Sequence, residues 1–108
     1  MTKLLYTVRT TLPTAQLHAR FLAWLVPDHI AAVKAGGAET VRVILPDRAK
    51  DVLSSIIETQ YAFPSRQVFE TYLREYAPAL RADNQKHFPP ETGVTSERQI
   101  AEIAAELK

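Results

Sequence analysis

A histidine that follows a proline and an aspartate is the residue of this sequence best suited to proton transfer. His29 comes directly after Asp28 and two residues after Pro27. Because a histidine titrates near neutral pH, His29 is a candidate general base. Neighbouring helical residues do not face each other, so Asp28 and His29 form no ready-made dyad, and the helix dipole alone explains an aspartate in a first turn. We predict His29 as the catalytic residue; packing at a helix break is the alternative.

Two aromatic residues and one arginine are the candidate ligand contacts. Trp24 and Tyr61 could form the walls of a small-molecule site, and Arg81 could contact an anionic group. Each residue also has an ordinary structural explanation. Aromatic residues at these spacings are typical of a core, and Arg81 lies in a stretch of interspersed basic and acidic residues, as on a solvated helix face. The sequence leaves both explanations open.

The composition argues against several classes of function. The chain of 108 residues has no cysteine, and its three histidines show no metal-ligand spacing, so we expect no metal. It has no glycine-rich phosphate loop or dinucleotide motif, and we expect no cofactor. Thirteen Lys and Arg against twelve Asp and Glu give a net charge of +1, so we expect neither nucleic acid nor a membrane as partner. The longest uncharged apolar run is Phe21 to Val26, and no signal region is visible, so we expect a cytoplasmic protein.

The sequence pattern of the first half of the chain predicts a strand, a helix and a second strand. Leu4 to Leu12 alternates in polarity, as a half-buried strand does, and Pro13-Thr14 begins a helix. Pro27 is expected to interrupt this helix, which restarts and continues to Lys34 before Gly36-Gly37 stops it. Thr40 to Leu45 is the second predicted strand.

The second half repeats this pattern. A charged turn at 46–51 leads into a strand from about Val52 to Phe63, and Pro64-Ser65 begins a helix that Pro78 interrupts. A shift of 51 residues places Leu12-Pro13-Thr14 on Phe63-Pro64-Ser65, and Pro27 on Pro78. Two such strand-helix-strand units predict one α+β domain over residues 1–108, with the ferredoxin-like order βαββαβ and a four-stranded antiparallel sheet.

The C-terminal segment carries conflicting signals. Ser96 and Gln99 have the spacing of a capping box, which favours a helix from about Glu97. The fold, in contrast, requires a fourth strand, and Val94 to Ile103 is the segment left to supply it. We predict the strand, because tertiary context often overrides weak local propensity.

Two segments carry a family resemblance: "FLAWLVPDHIAAVKAGGAETVRVI" (Phe21 to Ile44) and "YAFPSRQVFETYLREYAPALRADNQKHFP" (Tyr61 to Pro89). They resemble an uncharacterised bacterial family of short ferredoxin-like domains, domains of unknown function in the dimeric α+β barrel group. The family's usual form has a histidine before the Ala-Pro pair, where this chain has Tyr76. The resemblance implies the fold and a homodimer, and it implies no activity.

Polar residues interrupt the strands on the face that points away from the helices. Arg9, Glu58 and Gln60 lie there with Leu5 and Ala62. The face is either solvated or part of a dimer interface in which buried charges pair. Two functions follow: a small-molecule site between sheet and helices, such as a cofactor-free enzyme would have, or a homodimeric binding or assembly module without enzymatic activity.

Overall fold

Four strands and four α-helices make up the part of the chain that the computed structural model describes, residues 2–47 and 53–107. The strands are β1 (Leu4–Leu12), β2 (Thr40–Ile44), β3 (Ser55–Phe63) and β4 (Thr95–Glu102). The helices are α1 (Ala15–Trp24), α2 (Ile30–Ala35), α3 (Arg66–Glu75) and α4 (Ala77–His87). A π-helical turn, Leu25–His29, joins α1 to α2, and a 3₁₀ turn, Pro90–Thr92, precedes β4. Most of the predicted turn at 46–51, and the predicted start of the third strand at Val52, lie outside the described residues.

The sheet has the strand order β2-β3-β1-β4, and every neighbouring pair is antiparallel. This is the predicted ferredoxin-like α+β arrangement. Successive side chains of each strand point to opposite faces of the sheet. In β3 the residues Ile57, Thr59, Tyr61 and Phe63 are all buried beneath the helices, and the residues between them are only partly buried. The C-terminal segment is a strand, as predicted, because Thr95 to Glu102 pairs along β1. The competing helix signal is overridden by this ladder of backbone hydrogen bonds.

Two hydroxyl side chains begin the helices at equivalent positions of the predicted repeat. The Thr14 hydroxyl accepts a hydrogen bond from the Leu17 backbone N–H at 3.1 Å, and the Ser65 hydroxyl accepts one from Val68 at 3.2 Å. Each cap satisfies an amide that has no partner inside its helix. The two halves of the chain therefore start their helices by the same local chemistry.

The regular α-helix is interrupted near both prolines, as predicted, but in two different ways. Pro78 lies in the first turn of α4, where a missing N–H costs nothing. Pro27 instead lies inside the π-helical turn, and the helical path continues through it: the Ile30 N–H donates to the Leu25 carbonyl, five residues back. The wider π register accommodates the proline without ending the helix. His29 therefore lies at a widened turn, where the sequence had predicted a break.

The core consists of two clusters that meet under the helices. One is built around Tyr6, Phe63, Phe69 and Tyr72, and the other contains Phe21, Trp24, Leu25, Ile57 and Phe88. Trp24 and Tyr61, whose spacing is typical of core residues, are buried, whereas Tyr76 is 40% exposed and stacks on Tyr72. No helix in the described ranges is long and apolar enough to cross a membrane.

Gly36 and Gly37 end α2, as predicted. Gly37 has a φ of 122°, a conformation that other residues rarely adopt. A Cβ at Gly36 would lie 2.8 Å from Tyr72 Cδ1. The glycine pair thus allows the end of α2 to approach the tyrosines of α3.

Candidate functional site

A cavity lies between the inner face of the sheet and the helices, and all four predicted site residues line it: Trp24, His29, Tyr61 and Arg81. These residues are far apart in sequence and come from the α1–α2 region, β3 and α4. The cavity is narrow, since its volume of about 30 Å³ has room for about two water molecules. The fold thus brings the predicted residues together around a small internal space.

The π-helical turn places Trp24 and His29 against each other. Their ring centroids are 4.4 Å apart and their planes differ by 29°, which is a stacked arrangement. Residues five apart lie on different sides of a regular α-helix, but the wider π turn brings them onto one side. Pro27 at the centre of this turn is the sequence feature that accompanies the altered register.

The imidazole of His29 is held in its neutral form. Burial disfavours its charged form and lowers its pKa from 6.5 to about 4; the carboxylate of Asp83 opposes this shift, and the guanidinium of Arg98 adds to it. The buried Nδ1 atom of His29 has no hydrogen-bond partner among the described residues. At neutral pH the site therefore presents an uncharged imidazole whose Nδ1 can bond to a small molecule.

Asp83 fixes the indole that stacks on His29. The Trp24 Nε1–H donates to Asp83 Oδ2 at 3.2 Å, and His87 Nδ1 lies 3.5 Å from the other carboxylate oxygen. The sequence offered no signal that linked Asp83 to Trp24, because 59 residues separate them. Asp83 is thus a positioning residue that keeps one wall of the cavity in place.

Two buried tyrosine hydroxyls belong to residues that line the cavity, Tyr61 of β3 and Tyr72 of α3. Tyr61 is 2% exposed, and its burial raises the pKa of its hydroxyl well above the usual range. Burial likewise raises the pKa of Tyr72 to about 12, although the charges of Arg81 and Arg98 act in the opposite direction. Both phenols therefore stay protonated at neutral pH and are available as hydrogen-bond donors.

Arg98 is a cavity residue that the sequence reading missed. It lies on β4 opposite Val8 of β1, on the same side of the sheet as the helices. An arginine in an exposed strand does not alter the alternating pattern of polarity, and the strand itself was uncertain from sequence.

Two other polar residues of this region of the sequence lie outside the cavity. His18 bonds to Ser55 at 2.7 Å, and the exposed Asp28 does not line the cavity. Within residues 2–47 and 53–107, no three metal-ligating side chains come together.

Comparison with known proteins places this architecture in a family. Residues 3–103 match the model of a family described as a domain of unknown function, DUF4286. No curated protein matches the chain.

Solved structures share the fold at low sequence identity. A dimeric ferredoxin-like protein from an uncultured marine organism is 13% identical, with a TM-score of 0.74 over 99% of this chain and 100% of its own. An ethyl tert-butyl ether d (EthD) family protein from Bacillus halodurans is 12% identical, with a TM-score of 0.64 over 92% of this chain and 98% of its own. A cofactor-independent oxygenase from Streptomyces nogalater is 16% identical, with a TM-score of 0.52 over 100% and 97% of the two chains. At these identities the similarity establishes the fold alone.

Proposed function

The chain belongs to the DUF4286 family of domains of unknown function, and we propose that it binds a small molecule whose reacting end enters the inner cavity, with His29 as the group that accepts a proton or hydrogen bond from it. Trp24 and Tyr61 form the walls of this site, and Arg81 contacts an anionic group. No metal or cofactor is part of the proposal.

One observation carries the proposal: the buried Nδ1 of a neutral imidazole faces no partner within the described chain. A buried polar atom without a hydrogen bond costs about 1–3 kcal/mol. The cost is relieved when a water or a ligand atom bonds to Nδ1. An imidazole used only for packing gains nothing from this arrangement, and a carbon side chain would fill the same space.

The surroundings of His29 define its role. Its low pKa keeps the ring in the basic form throughout the neutral range, although it also makes the ring a weak base. The charge of Asp83 favours the imidazolium, so Asp83 would stabilise a proton taken up by His29. Such a ring accepts a hydrogen bond at neutral pH, and it takes up a proton only from a strongly acidic group of a bound molecule. The oxygenase among the similar structures is consistent with chemistry on this fold without a cofactor.

We also propose that the chain forms a homodimer through the outer face of its sheet. On that face a chain of hydrogen bonds crosses three strands: Arg42 donates to Gln60 at 2.6 Å, Gln60 to Glu58 at 2.9 Å, and Arg9 to Glu58 at 3.2 Å. Polar groups that are already satisfied within one chain are less costly to bury against a second copy. This network also supports the second candidate function, an assembly module without enzymatic activity. Cytoplasmic localisation stays a prediction.

A thermal-shift screen against a library of small metabolites tests the binding function. We expect hits that raise the melting temperature of the wild-type protein. His29→Ala should weaken those hits while the protein stays folded, and His18→Ala should not, because His18 bonds to Ser55 outside the cavity and does not line it. A His29→Ala variant that melts lower but binds every hit normally would contradict the proposed role of His29 and favour the assembly module.

A further inference from the structure

We infer that the groove between α4 and β4 binds the carboxylate of an organic acid, held by Arg81 and Arg98. This inference rests on the proposed function, because it names the ligand class of the same site. The groove has a volume of about 530 Å³. It adjoins the inner cavity, since Arg81, Asn84 and Arg98 line both. The two guanidinium groups therefore lie at the junction of groove and cavity.

The positive charge at this junction is not neutralised within the described chain. Neither Arg81 nor Arg98 forms an ion pair with another residue of the ranges 2–47 and 53–107. Both arginines line the inner cavity as well as the groove, so the two side chains lie beside the same opening. The carboxylate of Asp83 is already engaged by Trp24 and His87. An anion at the junction would meet two free guanidinium groups.

The rest of the groove favours an organic anion over an inorganic one. Phe88 is 5% exposed and lines the groove together with Pro90 and Val94, so apolar surface lies beside the arginines. The groove is large enough for an aromatic ring, whereas the cavity beyond it is not. We therefore place the apolar body of the ligand in the groove and its carboxylate between the arginines. A carboxylate fits the paired N–H donors of a guanidinium.

Benzoate, benzamide and inorganic phosphate are the probes that test this inference. They are titrated at pH 7 and matched ionic strength into the ¹⁵N-labelled full chain, and binding is followed through the backbone amides of Asn84, Ser96 and Arg98. Benzoate should cause saturable shifts at these amides. Benzamide, which has the same shape without the charge, and phosphate, which lacks the apolar body, should each bind at least tenfold more weakly.

Variants at the junction assign the binding to the two arginines. Arg81→Gln and Arg98→Gln should each weaken benzoate binding at least fivefold, and both residues are exposed, so the fold should not change. Arg74→Gln is the matched control, because Arg74 is exposed on α3 and lines neither the groove nor the cavity.

Three results would overturn the inference: no saturable benzoate binding, equal binding of benzamide or phosphate, or unchanged affinity in both junction variants. The same experiments distinguish failure of this inference from failure of the proposed function. If benzoate binding depends on the arginines but not on His29, the inference stands and the role of His29 fails. If neutral metabolites bind in a His29-dependent way without the arginines, small-molecule binding at His29 stands, whereas this inference and the anion contact proposed for Arg81 both fail.

Discussion

The low pKa of His29 predicts a loss of stability in mildly acidic solution. The folded chain holds this pKa at about 4, whereas the unfolded chain has the ordinary value of 6.5. Between these two values the unfolded chain therefore binds more protons than the folded chain. By linkage, the contribution of neutral His29 is fully present above about pH 6.5 and is lost progressively as the pH falls toward 4.

The magnitude follows from the two pKa values. Lowering the pH from 7 to 5 should reduce the free energy of unfolding by at most about 2 kcal/mol through His29 alone. Because the imidazole is only partly buried, solvent screening reduces this to about 1 kcal/mol. With a urea dependence of about 1–3 kcal/mol per M, the urea midpoint should fall by roughly 0.3–1 M.

Urea unfolding at pH 7 and pH 5, followed by circular dichroism, measures this loss. Carboxylates also titrate near pH 5, so the quantity of interest is the wild-type loss minus the loss in His29→Gln. His29→Gln should lose about 1 kcal/mol less than the wild-type protein, and His87→Gln, which retains the imidazole of His29, should behave like the wild type. Equal losses in the wild type and His29→Gln would show that His29 titrates as an exposed histidine, and the description of a neutral buried imidazole would be refuted.

Three further predictions concern the fold and the dimer. Gly36→Ala should lower the free energy of unfolding by about 1–3 kcal/mol, measured by urea unfolding, because the added Cβ would lie 2.8 Å from Tyr72; an unchanged midpoint would contradict this contact. Thr14→Ala and Ser65→Ala should each cost about 1 kcal/mol and add in the double variant, because the two caps lie on separate helices; strong non-additivity would count against two independent caps. Thr7→Arg, in the middle of the outer sheet face, should convert a dimer to a folded monomer in sedimentation velocity, and a wild-type protein that is monomeric at micromolar concentration would rule out the proposed interface.

The parts of the fold that follow from local chemistry could be predicted from the sequence. The hydroxyls of Thr14 and Ser65 cap their helices, and the alternation of β3 determines which residues face the core. The interruption at Pro27 was predicted but its π-helical form was not, because a proline removes one amide whether the helix ends or widens, and only the packing on either side of it decides between the two outcomes.

The candidate site could be predicted only where the type of a residue marked it as a candidate. Trp24, His29, Tyr61 and Arg81 stood out by residue type, and the fold brings them to one cavity. Arg98 and Asp83 did not stand out, because their importance arises from contacts between distant segments. The local helix signal at Ser96 and Gln99 further obscured the strand that carries Arg98. The pairing of β4 with β1 decides this conflict in favour of the strand. The two strands lie at opposite ends of the chain, so a local sequence pattern does not reveal their pairing.

The central claim, that the neutral imidazole of His29 bonds to a small molecule in the inner cavity, is tested most directly by NMR of the histidine ring nitrogens. The measurement compares the ¹⁵N shifts of the three histidine rings with and without the metabolite that most raises the melting temperature. We expect a neutral His29 ring at pH 7 whose Nδ1 shift changes on binding, while the rings of His18 and His87 are unaffected. A His29 ring that is already protonated at pH 7, or whose nitrogens do not respond to a saturating ligand, would contradict it.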